Sequence, residues 1–308
     1  MADIQSAQSV LMVRPVSFGF DQETAQSNTF QHALPLTKRA LQEQACREFD
    51  AAVQELRAHG ISVTVFEDAP EPEKPDAVFP NNWLSTWADE TVYLYPMATD
   101  SRRIERSEAA ILFLKKQWNI KQIIDLSASE NKGHYLESTG VMIFDHIHKV
   151  VYGCLSVRCD KLLFEQHAKE LGYEPIVFYA VDGSGVPIYH TNVLMGVQTS
   201  TAVVCLEAII DSTERALVEG TLQKTGHDVI SITLAQMNAF CGNILEVRDQ
   251  SGKPYIVMSQ TAYSAFTETE RTRLSKTAQL LPIAIPTIEI VGGGSARCMM
   301  AEMFLPKK

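Results

Sequence analysis

The strongest constraint on how this chain folds is a unit repeated along it: two short apolar runs around a polar break, a helical stretch, then one more apolar run. Runs 78–83 and 91–95 flank a break at 87–90, and runs 139–144 and 149–154 flank 145–148. Runs 192–197 and 201–205 flank 198–200, and runs 243–247 and 254–258 flank 248–252. Each pair reads as a β-hairpin. Helical spacing follows at 104–118, 160–171, 212–225 and 267–280, opening near Ser101, Asp160, Ser212 or Thr213, and Thr267, residue types that cap helices. Each helix leads to another strand: 122–126, 175–179, 228–232 and 287–291. A fifth copy is split between the two ends, with strand 9–13, helix 37–58, strand 62–66 and a C-terminal strand at 296–304. The pattern predicts an α/β fold: a five-bladed pseudo-symmetric propeller of strand–hairpin–strand–helix–strand units, closed by pairing of the N- and C-terminal strands. An ordinary α/β sandwich of alternating elements is the alternative. A closed ring makes residues 1–308 a single domain.

Composition narrows the function classes. At 45% hydrophobic and 21% charged, the chain can bury a core, which a disordered chain cannot. No apolar run reaches the roughly 18 residues of a membrane span. The N-terminus has neither the basic nor the apolar stretch of a secretory leader. A net charge of −10 argues against nucleic-acid and anionic-membrane partners, which need a clustered basic face. The six cysteines are irregularly spaced without a C-x-x-C pair, as in reduced, cytoplasmic proteins.

The segments leading into the hairpins carry the unusual polar residues: Asp76, Asn81 and Asn82; Glu137; His190 and Asn192; Asn243; and Cys298 after Gly292-Gly293-Gly294. A lone buried Cys or His is usually packing. Here they recur at equivalent points of a pseudo-symmetric unit, so they converge. His146 and His148 sit in a hairpin turn with no third ligand near in sequence, so no metal site is expected there. Cys154 and Cys159 read as packing residues, and Cys241 as a thiol lining the site.

These segments, in this order, resemble the guanidino-group-modifying enzymes: arginine deiminase, dimethylarginine dimethylaminohydrolase and the amidinotransferases. The motifs are Val78-Phe-Pro-Asn-Asn-Trp83, Leu136-Glu-Ser-Thr-Gly140, Tyr189-His-Thr-Asn192 and the glycine-rich approach to Cys298. Within that group the chain is most similar to the bacterial citrulline-utilisation, or amidinotransferase-related, hydrolases. The resemblance implies the five-bladed propeller, or pentein. It implies Cys298 as nucleophile, His190 as general acid and base, and Glu137 as the carboxylate that polarises the histidine and favours imidazolium. It also implies Arg158 and Arg103 as carriers of the substrate carboxylate, with Arg102 the rival of Arg103. No cofactor is implied, a homodimer is a family-level expectation, and Phe18 to Phe20 with Asn28 are candidates for a lid.

Two departures bear on substrate. Guanidinium-cleaving relatives carry acidic residues where this chain has Asn82 and Asn192. A carboxylate suits a cationic guanidinium; an amide offers both donor and acceptor and suits a neutral ureido group. The sequence therefore points to a hydrolase acting on the ureido group of a free amino acid, citrulline above all. Asp76 keeps a guanidino deiminase, dimethylaminohydrolase or amidinotransferase open, and a non-catalytic amino-acid-binding protein is the alternative from another class.

Overall fold

The computed structural model describes residues 4–308. Strands β1 (Ser9–Arg14) and β2 (Ser62–Glu67) pair in parallel. Four further sheets follow: β3 (Leu84–Thr86), β4 (Thr91–Leu94) and β5 (Gln122–Asp125); β6 (Ile143–Asp145), β7 (Val150–Cys154) and β8 (Glu174–Phe178); β9 (Met195–Val197), β10 (Thr201–Val204) and β11 (Asp228–Ser231); β12 (Leu245–Arg248), β13 (Pro254–Ser259) and β14 (Gln279–Ile283). The last strand, β15 (Ala301–Glu302), returns to β1 in antiparallel register, Val10 opposite Glu302 and Leu11 opposite Ala301. Five three-stranded sheets result. In each, the central strand pairs antiparallel with one neighbour and parallel with the other. A parallel partner needs a crossover, and helices supply it. β6 packs against β9, β9 against β12, and β15 against β3, so the shortest strands of different sheets neighbour one another.

The longest helix, Lys38–Ala58, shows why the crossovers form. Thr37 accepts a hydrogen bond from the Ala40 amide, and Leu41, Ala45, Phe49, Ala52, Val53 and Leu56 make its buried stripe. That 3–4 spacing places one apolar face on the sheet. Asp160, Asp211 and Thr267 cap later helices in the same way.

Three expectations are corrected. Residues 287–291 are not a strand; they lie in a helix, Pro286–Gly292. Proline at the first helical position has no amide to lose and a preset φ, and this outweighs the β-branched composition. The outer strand of that unit is instead β14, which begins in the last two residues of the predicted helix 267–280; that helix covers only Glu268–Leu274, and a separate one, Gln260–Ala265, precedes it. Pro282 is tolerated because β14 pairs only with β13 and is an edge strand. The C-terminal strand covers two residues rather than 296–304. Short helical turns at Ser138–Val141 and Thr191–Leu194 replace the starts of two predicted strands, and the predicted strand 78–83 holds a turn, Pro80–Asn82, with β3 forming only beyond it. Among the described residues, no helix is long and apolar enough to cross a membrane.

The Asp211 carboxylate accepts from the amides of Thr213 and Glu214 at 2.8 and 3.0 Å. Asp211→Ala should lower stability by about 1 kcal/mol, read by calorimetry as a Tm decrease of roughly 2–4 °C, with activity retained.

Candidate active site

The helical turns that displaced the predicted strands set the site. Glu137 and His190 each occupy the position just before such a turn, and Cys298 precedes β15. Each functional side chain thus leaves the backbone immediately before the first strand of its sheet. Ser138, next to Glu137, has a φ of 42°, a strained conformation for a residue with a Cβ. Its hydroxyl donates to the Leu84 carbonyl at 2.8 Å, which ties the turn to the neighbouring sheet. Thr191, next to His190, donates to the Val141 carbonyl at 2.6 Å and accepts from the Cys154 amide at 2.7 Å.

His190 Nε2 lies 2.7 Å from Glu137 Oε2, and Arg158 Nη1 is 3.5 Å from the same oxygen. All three residues are buried. Burial alone would push the Glu137 carboxyl up, but Arg158 and the His190 hydrogen bond hold it well below the ordinary carboxylate range. Nε2 therefore carries the proton donated to Glu137, and Nδ1 keeps its lone pair. Burial pulls His190 down to about 4 against the opposing pull of Glu137. Glu137 favours the imidazolium, as expected, but desolvation of the charged ring outweighs it. Burial also raises the Cys298 thiol. The resting pair is thiol and neutral imidazole.

Cys298 is held by two amides. Asn192 Nδ2 and Asn243 Nδ2 donate to its sulfur at 3.3 and 3.2 Å. Asn243 was not among the expected site residues, although it stands in the last hairpin where Asn192 stands in the one before. Its Oδ1 accepts from the Arg297 amide at 3.0 Å, fixing the loop that carries the nucleophile. With its Nδ2 engaged, Asn192 leaves Oδ1 buried without a partner.

Asp76 is buried; Thr24 donates to its Oδ2 at 2.9 Å and its Oδ1 has no partner. Burial lifts its carboxyl to about 7, against the lowering pull of Arg102. Asn82 Oδ1 accepts from Arg102 Nη1 at 2.5 Å, which leaves Asn82 Nδ2 unpartnered. Asn81 donates to Thr139 Oγ1 at 3.4 Å.

The arginines divide the work differently from expectation. Arg102, buried, forks onto both carboxylate oxygens of Glu105 at 2.8 and 2.9 Å and onto Asn82. Arg103 lies outside this cluster, half-buried, donating to the Met97 and Ala98 carbonyls and pairing with Asp100 and Glu130. Arg158 is in the cluster, where Thr24 and Ser27 occupy its fork: Nη2 donates to the Thr24 carbonyl and to Ser27 Oγ, both at 2.9 Å. Phe18 and Asn28 are buried, whereas Phe20 is exposed. Asn28 Nδ2 and Tyr189 Oη donate to the Gly293 carbonyl at 3.3 and 2.6 Å. The segment around 24–31 thus lies between Asp76, Arg158 and the glycine loop. Cys241 does not line the site; its thiol faces the Ala262 carbonyl in the core. His146 and His148 also part company. His146 stacks on Phe144, whereas His148 faces Asp145.

This geometry has counterparts. The family model described as N,N dimethylarginine dimethylhydrolase, eukaryotic, matches residues 14–305. The chain belongs to that family. It sits, with the family, in the guanidino-modifying pentein superfamily. No curated protein sequence matches the chain. The chain is similar to apo ArgZ, an arginine dihydrolase from the ornithine–ammonia cycle in cyanobacteria, at 17% identity and a TM-score of 0.74. That match covers 95% of this chain and 40% of ArgZ, so the family fold spans less than half of the longer protein. The substrate-bound N-terminal domain of ArgZ, a cysteine-to-serine mutant, matches at 16% identity and a TM-score of 0.73, over 96% of this chain and 99% of that one. The dimethylarginine dimethylaminohydrolase of Pseudomonas aeruginosa, a cysteine-to-serine mutant complexed with citrulline, matches at 12% identity and a TM-score of 0.67, over 96% and 99%. At these identities the likeness is one of fold.

A Cβ added at Gly140 would stand 2.4 Å from Asn82 Nδ2 and 3.0 Å from the His190 ring. Gly140→Ala should therefore displace both. We expect kcat to drop by about 10²-fold or more, the range for losing general acid–base geometry, with the far-ultraviolet circular dichroism unchanged.

Proposed function

We propose that this chain is a cofactor-free, cysteine-dependent C–N hydrolase that acts on the ureido group of a free amino acid, citrulline being the substrate it fits best. The site is read as the centre of a five-bladed propeller formed by the whole chain as one domain. The observation that carries the substrate reading is the set of unpartnered polar atoms. Asn82 Nδ2 is a donor beside His190, whereas Asp76 Oδ1, Asn81 Oδ1 and Asn192 Oδ1 are acceptors. A ureido group has one carbonyl acceptor and several N–H donors, so it can meet the one donor as well as the acceptors. A guanidinium has no acceptor and would leave Asn82 Nδ2 facing N–H groups.

Chemistry follows from the resting protonation states. As the Cys298 sulfur adds to the ureido carbon, His190 Nδ1 takes the thiol proton. The imidazolium so formed is stabilised by Glu137, and it passes the proton to the departing nitrogen as the C–N bond breaks. Ammonia leaves an S-carbamoyl thioester on Cys298. His190, neutral again, takes a proton from water as that water attacks the thioester. Thiol and carbamate result, and the carbamate loses carbon dioxide to give the amine, ornithine from citrulline. The donating amides of Asn192 and Asn243 stabilise developing negative charge on sulfur. Arg158 is the group for the α-carboxylate, because its guanidinium fork matches a carboxylate. A substrate carboxylate would replace the Thr24 carbonyl and Ser27 hydroxyl now on that fork, so segment 24–31 acts as the lid.

A guanidino substrate is the second reading, and Asp76 favours it: its buried carboxylate has one free oxygen for a cationic N–H. The two readings separate in parallel assays of ammonia release from citrulline and arginine and of dimethylamine release from dimethylarginine, with Cys298→Ala as control. We expect citrulline to turn over and the variant to be inactive. Turnover of arginine or dimethylarginine without citrulline would overturn the ureido reading, and full activity in Cys298→Ala would overturn the nucleophile.

The pH dependence gives an independent check. Asp76 is neutral below about 7 and ionised above it. A cation binds the ionised form, so any KM for arginine should fall as pH rises through that value, whereas KM for citrulline should change little. Asp76→Asn keeps an acceptor and should hold citrulline turnover to within about tenfold, the scale of one neutral hydrogen bond.

A further inference from the structure

We propose that Asp145, His148 and His227 form a zinc-class divalent-metal site that staples the β6–β7 hairpin to the sheet of β9, β10 and β11. The site is apart from the catalytic residues and rests on none of the readings above. Asp145 ends β6, His148 lies in the turn to β7, and His227 immediately precedes β11. One ligand atom from each lies within 4.8 Å of the others. His148 Nδ1 is 2.8 Å from Asp145 Oδ2, and His227 Nε2 is 3.9 Å from the same oxygen and 3.1 Å from the Gln198 carbonyl. A tetrahedral ion with bonds of about 2.0–2.1 Å sets its ligands about 3.3 Å apart. The 2.8 Å separation must open and the 3.9 Å one close by about half an ångström each, and the two histidines, within 4.8 Å of each other, must also draw together; rotation of the partly exposed His148 side chain supplies this.

The surroundings are those of a ligand set. His227 Nδ1 is 2.9 Å from Thr225 Oγ1, and that hydroxyl also reaches the Thr221 and Leu222 carbonyls at 3.0 Å. Thr225 Oγ1 can accept from Nδ1–H, the arrangement that orients metal-bound histidines, whereas Nε2 donates its proton to the Gln198 carbonyl and must give that proton up to take the ion. The Asp145 backbone position is set by its own turn, because Oδ1 accepts from the His148 amide at 3.0 Å. Asp145 and His227 are buried, whereas the His148 side chain is 36% exposed. An ion can therefore enter past His148 and keep a water in its open position. On binding, the His148 proton moves from Nδ1 to Nε2, on the solvent side, and Asp145 turns its oxygen from that proton to the metal. Sequence spacing hid this set, because His227 is far along the chain from the turn.

Equilibrium dialysis of the chelator-stripped protein with zinc chloride tests the site, in a Cys298→Ala background so that the thiol contributes nothing. We expect one zinc per chain, bound at least about 100-fold more weakly in His148→Ala, and about 10–100-fold more weakly in Thr225→Val through loss of the orienting bond. His148 is partly exposed and its variant should fold, which circular dichroism checks. Cobalt in place of zinc should give d–d absorption without a thiolate charge-transfer band. Failure to bind one equivalent, equal binding by His148→Ala, or a thiolate band would each overturn the site.

Discussion

The site depends on one buried carboxylate. Glu137 is fully buried, and an unpaired ion there would cost several kcal/mol. His190 and Arg158 compensate it, each reaching the same oxygen, Oε2, while the Ala98 amide donates to Oε1 at 3.0 Å. Three segments far apart in sequence are held to one point by this requirement. The strain at Ser138 and the hydrogen bonds of Thr191 brace the two backbone turns that deliver Glu137 and His190. Removing the carboxylate would leave Arg158 a buried cation with the segment at 24–31 as its chief partner.

The same burial sets the chemistry. It favours a neutral His190 and a Cys298 thiol, so in the proposed reaction one proton transfer makes the thiolate nucleophile and the imidazolium acid together. A standing thiolate beside a standing imidazolium would require two charges in a dry site before any substrate is bound. The asparagines fit this economy. Asn192 and Asn243 spend their N–H groups on sulfur, and Asn82 spends its carbonyl on Arg102. Asn192 thereby keeps its carbonyl oxygen and Asn82 its amide nitrogen without a partner, an orientation that residue type alone does not show.

Much of the fold was legible because its units alternate two periods, strands of period 2 and helices of period 3.6. Reading failed where the pattern lost its period. Residues 278–291 are mostly apolar with two prolines, so strand and helix exchange places there without any change in composition. It failed again in front of β3, β6 and β9, where apolar residues suggested strand but the chain makes one helical turn to aim a side chain. In the site, Cys298, His190, Glu137, Asp76, Asn82 and Asn192 were visible as polar residues at equivalent points of the repeat, whereas Arg158 was reached only through the resemblance. Asn243 was equally visible in that register and passed over. Thr24 and Ser27 carried no signal, since they act through a hydroxyl and a carbonyl on a segment without pattern. The choice between Arg102 and Arg103 was not readable from adjacent positions, because only helix phase decides which one enters the core.

The chain by itself determined the repeat, the reduced cysteines, the acidic surface and the identities of the groups that converge, because these follow from local pattern and residue chemistry. Tertiary structure decided which groups meet and in what protonation state. Burial moves Asp76 up and His190 down, and no local sequence window contains the neighbours responsible. It also decided that His148 has partners at all, since Asp145 is three residues away but His227 belongs to the next sheet. Proximity across sheets is a property of packing, and packing depends on every unit at once.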